Sequence, residues 1–266
     1  MISLMQLLKE VQGQPKAIIL AGAPGAGKGY VLKGLDLGGL KIMNVDNIYV
    51  NLLKKANVSL DLKNATPEER SEQAKQMAAA NKEFKGDLED TIKGKESFIL
   101  DGTAASYNKT KQLKEKLEAA GYEVFMVYVY SSLKKSLSKN QDRFERSGGE
   151  DRSLMPSIVM QTWANVTKNF VPYLDLFGNN FVATTKDKKL ANSRDLEDII
   201  DQYIIPFIPT DTKPKDEKAK ARSLAQKEKL EQEIRDLMDK ENVTQAVQQI
   251  VSAEEAQQKL KSFLAS

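Results

Sequence analysis

Five short, nearly all-apolar runs occur along this chain, and stretches with a helical spacing of apolar residues separate them. The runs are "PKAIILA" at 15–21, "KIMNV" at 41–45, "SFILDGT" at 97–103, "EVFMVYVY" at 123–130 and "NFVATT" at 180–185. Such runs are typical of strands that are buried on both faces of a parallel sheet. Because the strands alternate with helices, the pattern predicts an α/β fold, a three-layer sandwich whose parallel sheet has roughly five strands.

Polar stretches between the runs carry specific helix signals. Thr66 is placed as an N-cap, Pro67 follows in the first turn, and Glu69 completes a capping box. We therefore predict a long polar helix that extends to about Lys93. The stretch "NKTKQLKEKLEAAGY" predicts an amphipathic helix that ends at Gly121.

Changes in composition divide the chain into three parts. Residues 1–14 have the spacing of an amphipathic packing helix and not of a signal peptide. Residues 15–209 are predicted to form the α/β domain, with a helical insertion at about 52–95. After Pro206 the chain is rich in proline and lysine and then highly charged, so residues 210–266 are predicted to be a linker and a charged helical tail. No apolar run approaches the length that a bilayer requires, so we expect no membrane interaction.

The composition excludes several kinds of chemistry. The 266 residues include no cysteine and no histidine, which excludes disulfides, Cys/His zinc sites, thiol nucleophiles and imidazole bases. Acid–base chemistry must use Asp, Glu, Lys or Tyr. The net charge of +3 is too small to indicate nucleic-acid binding by itself. The absence of cysteine is compatible with a reducing cytoplasm, which is the location we expect.

A glycine-rich loop follows the first predicted strand. Gly22, four further residues, then Gly27 and Lys28 fit the phosphate-binding pattern GxxxxGK, with a strand before it and a helix after it. Backbone N–H groups and the positive end of the helix would hold phosphates, and Lys28 would reach the outer ones. The predicted ATP-binding residues are Gly22, Ala23, Pro24, Gly25, Ala26, Gly27, Lys28, Gly29 and Tyr30.

The two residues after the lysine depart from the commonest pattern, which has Ser or Thr as a Mg²⁺ ligand. The loop "GAPGAGKG" resembles that of nucleoside monophosphate kinases, which also place Gly after the lysine and then usually Thr. Here the two positions are Gly29 and Tyr30. We therefore expect Mg²⁺ to be held by the ATP phosphates, water and an acid.

Two acids end predicted strands. Asp46 follows the second strand and Asp101 the third, so both are expected at the carboxyl edge of the sheet. Asp101 is a candidate for orienting Mg²⁺, directly or through water, and Asp46 for accepting a proton from an attacking hydroxyl. Either could instead be an ordinary turn or N-cap residue.

Arginines surround a Gly-Gly pair in "NQDRFERSGGEDRSLMP". Arg143 and Arg146 are one helical turn apart and could approach the same transferring phosphoryl group, with the glycines as a hinge. Alternatively, Asp142 and Glu145 pair with them on a solvated face.

Together, these motifs resemble the zeta-toxin and polynucleotide-kinase-like group of P-loop kinases over roughly residues 15–207. The stretch "GYEVFMVYVYSSLKKSLSKNQDRFERSGGEDRSLMPSIVMQTW" is similar to the strand, Arg-bearing helix, Gly-containing lid and Pro-led helix of that group. The lid would span about 140–156, and it reads "GGED" where a histidine is expected after the glycines. Some members are phage-encoded, and this chain could be one of them.

The resemblance implies a P-loop NTPase fold, the cofactors ATP and Mg²⁺, and a set of roles. The implied roles are ATP phosphate binding for Lys28, acceptor contact for Asp46, metal assistance for Asp101, and lid arginines for Arg143 and Arg146.

Three functions compete. The leading one is transfer of the γ-phosphoryl group of ATP to a hydroxyl of a nucleotide, sugar or nucleic-acid acceptor. A nucleoside monophosphate kinase would phosphorylate a phosphate and need no base. A weakly catalytic nucleotide-binding module would dock a protein partner through the charged tail, although such tails are more often solvated helices.

Overall fold

The computed structural model describes residues 14–33, 40–149, 151–185, 225, 228–236 and 250–265. Its centre is a fully parallel sheet of six strands in the order β2-β3-β1-β4-β5-β6. The strands are β1 Lys16–Ala21, β2 Lys41–Met43, β3 Phe98–Asp101, β4 Glu123–Tyr130, β5 Phe181–Thr185 and β6 Ile250–Val251. The prediction of a parallel α/β sheet is confirmed, and the sheet has one strand more than the roughly five predicted.

Helices connect and flank the strands. They are α1 Lys28–Lys33, α2 Val45–Lys55, α3 Pro67–Lys93, α4 Tyr107–Ala119, α5 Leu133–Arg146, α6 Pro156–Lys168, α7 Phe170–Phe177 and α8 Ala253–Ala265. Residues 228–236 are also helical.

Local sequence signals explain where several helices begin and end. The capping box at the start of α3 is formed, since Thr66 Oγ1 accepts from the Glu69 amide and Glu69 accepts from the Thr66 amide. After α4, Gly121 adopts φ +83°, a conformation that favours glycine. The apolar run at 41–45 forms a strand only as far as Met43, because Asn44 caps the next helix and begins it earlier than the run suggests.

Two apolar layers cover the sheet. On one face Ile19, Met126 and Tyr128 pack with apolar side chains of α3, α4 and α7. On the other face, side chains of β1 and β4 pack with Val31 of α1 and with α8. The result is the predicted three-layer sandwich, and none of the described helices is long and apolar enough to cross a bilayer.

The C-terminal residues that the structure describes belong to this fold. β6 extends the sheet beside β5, pairing Ile250 with Ala183. In α8, Leu260 and Phe263 are buried, and the Phe263 ring lies 4.8 Å from that of Phe125 on β4. The predicted N-terminal helix at 1–14 and most of the predicted linker and tail at 210–266 lie outside the described residues.

Candidate active site

The glycine loop lies between β1 and α1 and is fixed by its neighbours. The Gly22 amide donates to the Thr103 carbonyl over 3.1 Å, and Gly22 has φ +148°. A Cβ at Gly22 would lie 2.5 Å from the Val129 carbonyl oxygen, and one at Gly25, which has φ +79°, would lie 2.8 Å from that of Ser136. No side chain fits at either position, so these glycines allow the loop to approach β4 and α5 closely.

Lys28 begins α1 and turns its ammonium back over the loop. Its Nζ donates to the carbonyls of Gly22 and Ala23 over 2.8 and 3.2 Å. Burial is the main reason that the pKa of Lys28 is lowered, and the charges of Arg143 and Arg152 lower it further, while Asp101 and Asp46 oppose the shift. The buried Lys28 ammonium is well suited to bind an anion, because the negative charge of the anion would stabilise its positive charge.

The remaining loop residues differ in exposure. Ala23 and Ala26 are buried in the apolar core, and Gly27 has φ +95°. A Cβ at Gly29 would meet open space. Tyr30 points away from the core, with 55% of its surface exposed, so it is not a packing residue of the fold.

Asp101 ends β3 beside the end of β2. Because Met43 pairs with Leu100, the next residues, Asn44 and Asp101, are also neighbours. Asn44 Nδ2 donates to Asp101 Oδ2 over 2.8 Å. The other oxygen, Asp101 Oδ1, is buried and has no hydrogen-bond partner among the described residues.

Asp46 lies in the first turn of α2, and Arg152 binds it. The Asp46 amide donates to Asn44 Oδ1 over 2.7 Å, which makes Asn44 the N-cap of this helix. The Arg152 guanidinium forms an ion pair with Asp46 Oδ2. Only 12% of the Arg152 side chain is exposed, against 43% of the Asp46 side chain. The guanidinium therefore covers one side of the carboxylate and leaves another side accessible.

A polar cavity of about 480 Å³ opens beside this ion pair. Its lining consists of Asp46, Asn47, Val50, Asn51, Arg143, Ser147, Asp151 and Arg152. The cavity is thus formed between α2 and the segment that follows α5. Its side chains combine two guanidinium groups, two carboxylates and two amides, which suits a polar ligand with hydrogen-bonding groups.

The structure separates the two predicted lid arginines. Arg143 lines the cavity and pairs with Asp151. Arg146 does not line it: its side chain is 82% exposed and lies 3.3 Å from Asp142 one helical turn earlier. The second arginine that lines the cavity is Arg152.

The segment that carries Arg152 is held by the loop between α2 and α3. Ser153 Oγ donates to Asp61 Oδ1 over 2.6 Å, and the Ser153 amide donates to the Leu60 carbonyl. Burial alone would raise the pKa of Asp61, but hydrogen bonds from the side chains of Ser153 and Asn64 and from two backbone amides outweigh it and lower the pKa. The loop between α2 and α3 therefore anchors the backbone next to Arg152.

Sequence reasoning missed two features of this site. It passed over Asn44, although an Asn directly before an apolar-periodic helix is a recognised N-cap signal. It also chose Arg146 over Arg152, because helical spacing makes Arg143 and Arg146 neighbours and says nothing about a residue beyond the Gly-Gly pair. The contact that places Arg152 joins residues more than one hundred positions apart in the sequence.

Comparison with known proteins gives a family match. Residues 4–184 match the family model described as "Zeta toxin". This span is more than half of the chain and contains the glycine loop, both acids and the three arginines. No curated protein sequence matches the chain.

Solved structures share the fold at low sequence identity. The AvrRxo1-ORF1:AvrRxo1-ORF2 complex with sulphate ions matches with 16% identity and a TM-score of 0.51, over 93% of this chain and 84% of that chain. The same complex with ATP gives 16% identity and a TM-score of 0.50, over 94% and 85%. The PezAT toxin–antitoxin system of Streptococcus pneumoniae has 16% identity and a TM-score of 0.45, over 86% and 89%.

Proposed function

Because this chain belongs to the zeta toxin family, whose fold is that of P-loop kinases, we propose that it transfers the γ-phosphoryl group of ATP to a hydroxyl of a nucleotide, sugar or nucleic-acid acceptor. The observation that carries this proposal is the position of Asp46. Its carboxylate faces a polar cavity that also contains Arg143 and Arg152, and its charge acts on Lys28 of the glycine loop. A base, charge-neutralising groups and a phosphate loop therefore converge.

ATP binding uses the loop between β1 and α1. Its backbone N–H groups and the N-terminal end of α1 would surround the phosphates, and Lys28 would exchange its bonds to Gly22 and Ala23 for bonds to phosphate oxygens. The lysine also reduces the electron density on the γ-phosphate. These interactions hold the phosphorus in place for attack from the side of the cavity.

Asp101 fits an indirect role in holding Mg²⁺. Its Oδ1 is a buried oxygen without a hydrogen-bond partner among the described residues, as a group that accepts from a metal-bound water would be. Bound Mg²⁺ would neutralise charge on the phosphates.

In the proposed reaction, Asp46 accepts the proton of the acceptor hydroxyl. The hydroxyl oxygen attacks the γ-phosphorus in line, and the bond from that phosphorus to the β–γ bridging oxygen breaks, which releases ADP. Lys28, Arg143 and Arg152 would stabilise the charge on the transferring group. The ion pair of Asp46 with Arg152 has to rearrange when the acceptor enters. Arg146 stays a predicted lid arginine that lies outside the cavity in this structure.

A nucleoside monophosphate kinase is the second candidate, and one observation favours it. The cavity holds two arginines, which would suit the phosphate of such an acceptor. That reaction needs no base, because the attacking oxygen is already ionised. Asp46→Asn therefore separates the two candidates: it should abolish transfer to a hydroxyl and leave most transfer to a phosphate.

A protein partner and a cytoplasmic location are further parts of the proposal. Two solved structures with this fold are of the same complex of two different chains, and we propose that this chain also binds a partner protein. ATP is available as a substrate in the cytoplasm, where we expect the activity. A binding module with weak catalysis, docked through the tail, is less well supported, because part of that tail packs into the sheet as β6 and α8.

The bond formed in the product tests the proposal. The protein is incubated with ATP, Mg²⁺ and, separately, nucleosides, nucleoside monophosphates, sugars and DNA ends, and the products are examined by ³¹P NMR. A phosphomonoester that is absent with Asp46→Asn and present with Asp175→Asn, an exposed control on α7, supports the hydroxyl kinase. A new phosphoanhydride formed by both variants would establish the nucleotide kinase instead.

A further inference from the structure

One amide side chain connects the two candidate acids. Asn44 is the single residue between the end of β2 and the start of α2. Its Nδ2 donates to Asp101 Oδ2 over 2.8 Å, and its Oδ1 accepts from the Asp46 amide over 2.7 Å. The side chain thus contacts the carboxylate of one acid and the backbone of the other.

We propose that Asn44 is a positioning residue for phosphoryl transfer. Its side chain fixes the carboxylate of Asp101 relative to the first turn of the helix that carries Asp46. This inference rests on the proposed function and deepens it. Asn44 contacts no substrate in the proposed reaction. It acts through Asp101: it occupies Oδ2, and Oδ1, which is buried and has no hydrogen-bond partner among the described residues, is then the oxygen that would accept from a metal-bound water.

The chemistry of the position requires an amide. A side chain here has to donate a hydrogen bond to a carboxylate and accept one from a backbone N–H, and Asn does both with a short, planar group. Ser is also a good N-cap, but its hydroxyl is too short to satisfy both partners. Ala can do neither. Comparing Ser with Ala at this position therefore separates the effect of the hydrogen bond to Asp101 from the effect of capping α2.

The hydrogen bond to Asp101 should matter more than an average one. The acceptor is ionised, and bonds to ionised groups are stronger than bonds between neutral groups. Without it, the Asp101 carboxylate can rotate, and the Oδ1 position would no longer be selected. We therefore expect the Mg²⁺-dependent part of nucleotide binding to weaken, while the metal-free part, which depends on Lys28 and the loop, stays the same.

The experiment compares wild type, Asn44→Ser, Asn44→Ala and a control, Asn81→Ser. Asn81 lies exposed on α3, where it donates only to the Met77 carbonyl one turn earlier. The affinity for the non-hydrolysable ATP analogue AMP-PNP is measured by calorimetry with and without Mg²⁺, and the ratio of the two affinities is the readout. Thermal melting of the ligand-free proteins is measured in parallel.

We expect both Asn44 variants to lose about tenfold of the Mg²⁺-dependent gain in AMP-PNP affinity, and the control to keep it. The melting temperature should distinguish the two variants. That of Asn44→Ser should stay near the wild-type value, because Ser keeps the cap, and that of Asn44→Ala should fall by about 2–4 °C. Where an acceptor is turned over, Asn44→Ser should lower kcat with the acceptor KM within about twofold.

Three results would overturn the inference. The first is an unchanged Mg²⁺-dependent gain in both Asn44 variants. The second is a gain that is lost only in Asn44→Ala together with its stability, since Asn44 would then be a helix cap and nothing more. A wild type without any Mg²⁺-dependent gain also overturns it. Because AMP-PNP binding needs no acceptor, a wild type that binds Mg²⁺ and AMP-PNP but phosphorylates nothing would contradict the proposed function and still decide the role of Asn44.

Discussion

Arg152, beyond the Gly-Gly pair, is ion-paired with Asp46, in the first turn of α2, and this contact joins the lid to the candidate base. The arginine is almost buried, whereas the carboxylate keeps an accessible side on the cavity. Asp61 accepts a hydrogen bond from Ser153, the residue next to Arg152, so the loop between α2 and α3 fixes the chain beside this ion pair. The acceptor would enter between a base and an arginine that already face each other.

The three arginines should differ in their effect on turnover. Arg143→Ala and Arg152→Ala are each expected to lower kcat about 1,000-fold, because both guanidinium groups lie in the cavity where the proposed reaction would develop charge. Arg146→Ala should lower kcat less than tenfold, since its side chain is exposed and pairs with Asp142. Steady-state kinetics on the three variants decides the matter, and equal losses in all three would show that the lid rearranges to bring Arg146 into the site.

Asp46→Asn should remove the proton acceptor with little change in shape. We expect kcat for a hydroxyl acceptor to fall about 100- to 10,000-fold, with ATP affinity within about threefold of wild type. The measurement is single-turnover phosphoryl transfer together with ATP binding by calorimetry. Full activity of Asp46→Asn toward a hydroxyl would mean that another group accepts the proton.

Because of Lys28, the affinity for ATP should depend on pH in the alkaline range. The pKa of its ammonium is lowered from the ordinary value of 10.5 by burial, and bound phosphates should raise it again. Between the lowered pKa and the pKa in the complex, binding takes up a proton, so ATP affinity should fall as the pH rises through that window. Calorimetry in buffers of different ionisation enthalpy measures the uptake. Lys28→Met should abolish it, and Lys82→Met, exposed on α3, should not.

The same pKa shift has a consequence for stability. Unfolded Lys28 keeps its proton up to its ordinary pKa, whereas folded Lys28 loses it at a lower pH. The buried charge therefore costs stability at every pH below the lowered pKa, and this cost declines as the pH rises from the lowered pKa to 10.5. Ligand-free Lys28→Met should therefore be at least as stable as wild type at pH 7, and its advantage should shrink at alkaline pH. Thermal melting at both pH values tests this, and a markedly less stable Lys28→Met would contradict it.

The C-terminal helix should be necessary for stability. Phe263 is buried against Phe125, and Phe263→Ala is expected to lower the free energy of unfolding by about 3–5 kcal/mol. Leu264→Ala, a half-buried neighbour in α8, should cost less. Urea unfolding of both variants gives the comparison. If Phe263→Ala unfolds at the same urea concentration as wild type, α8 does not contribute to the core.

Local patterns predicted much of the fold and the edge on which the site forms. The apolar runs gave the main strands, and the carboxyl ends of parallel strands brought Asp101 beside the start of α2, which carries Asp46. A two-residue strand such as β6 has no recognisable periodicity in a charged segment, so its pairing with β5 could not be predicted. The contacts of Arg152 with Asp46 and of Asn44 with Asp101 join distant segments, which a local pattern does not contain, although the N-cap role of Asn44 is a local signal.

Acceptor-stimulated formation of ADP is the measurement that tests the central claim most directly. It uses wild type, Lys28→Ala and Asp46→Asn with Mg²⁺, ATP and a panel of nucleosides, nucleoside monophosphates, sugars, and single- and double-stranded DNA. We predict that at least one hydroxyl acceptor stimulates ADP formation by wild type and that both variants lose the stimulation. ATP binding by wild type without stimulation by any acceptor, or stimulation by a monophosphate alone that persists in Asp46→Asn, would contradict the proposed hydroxyl kinase.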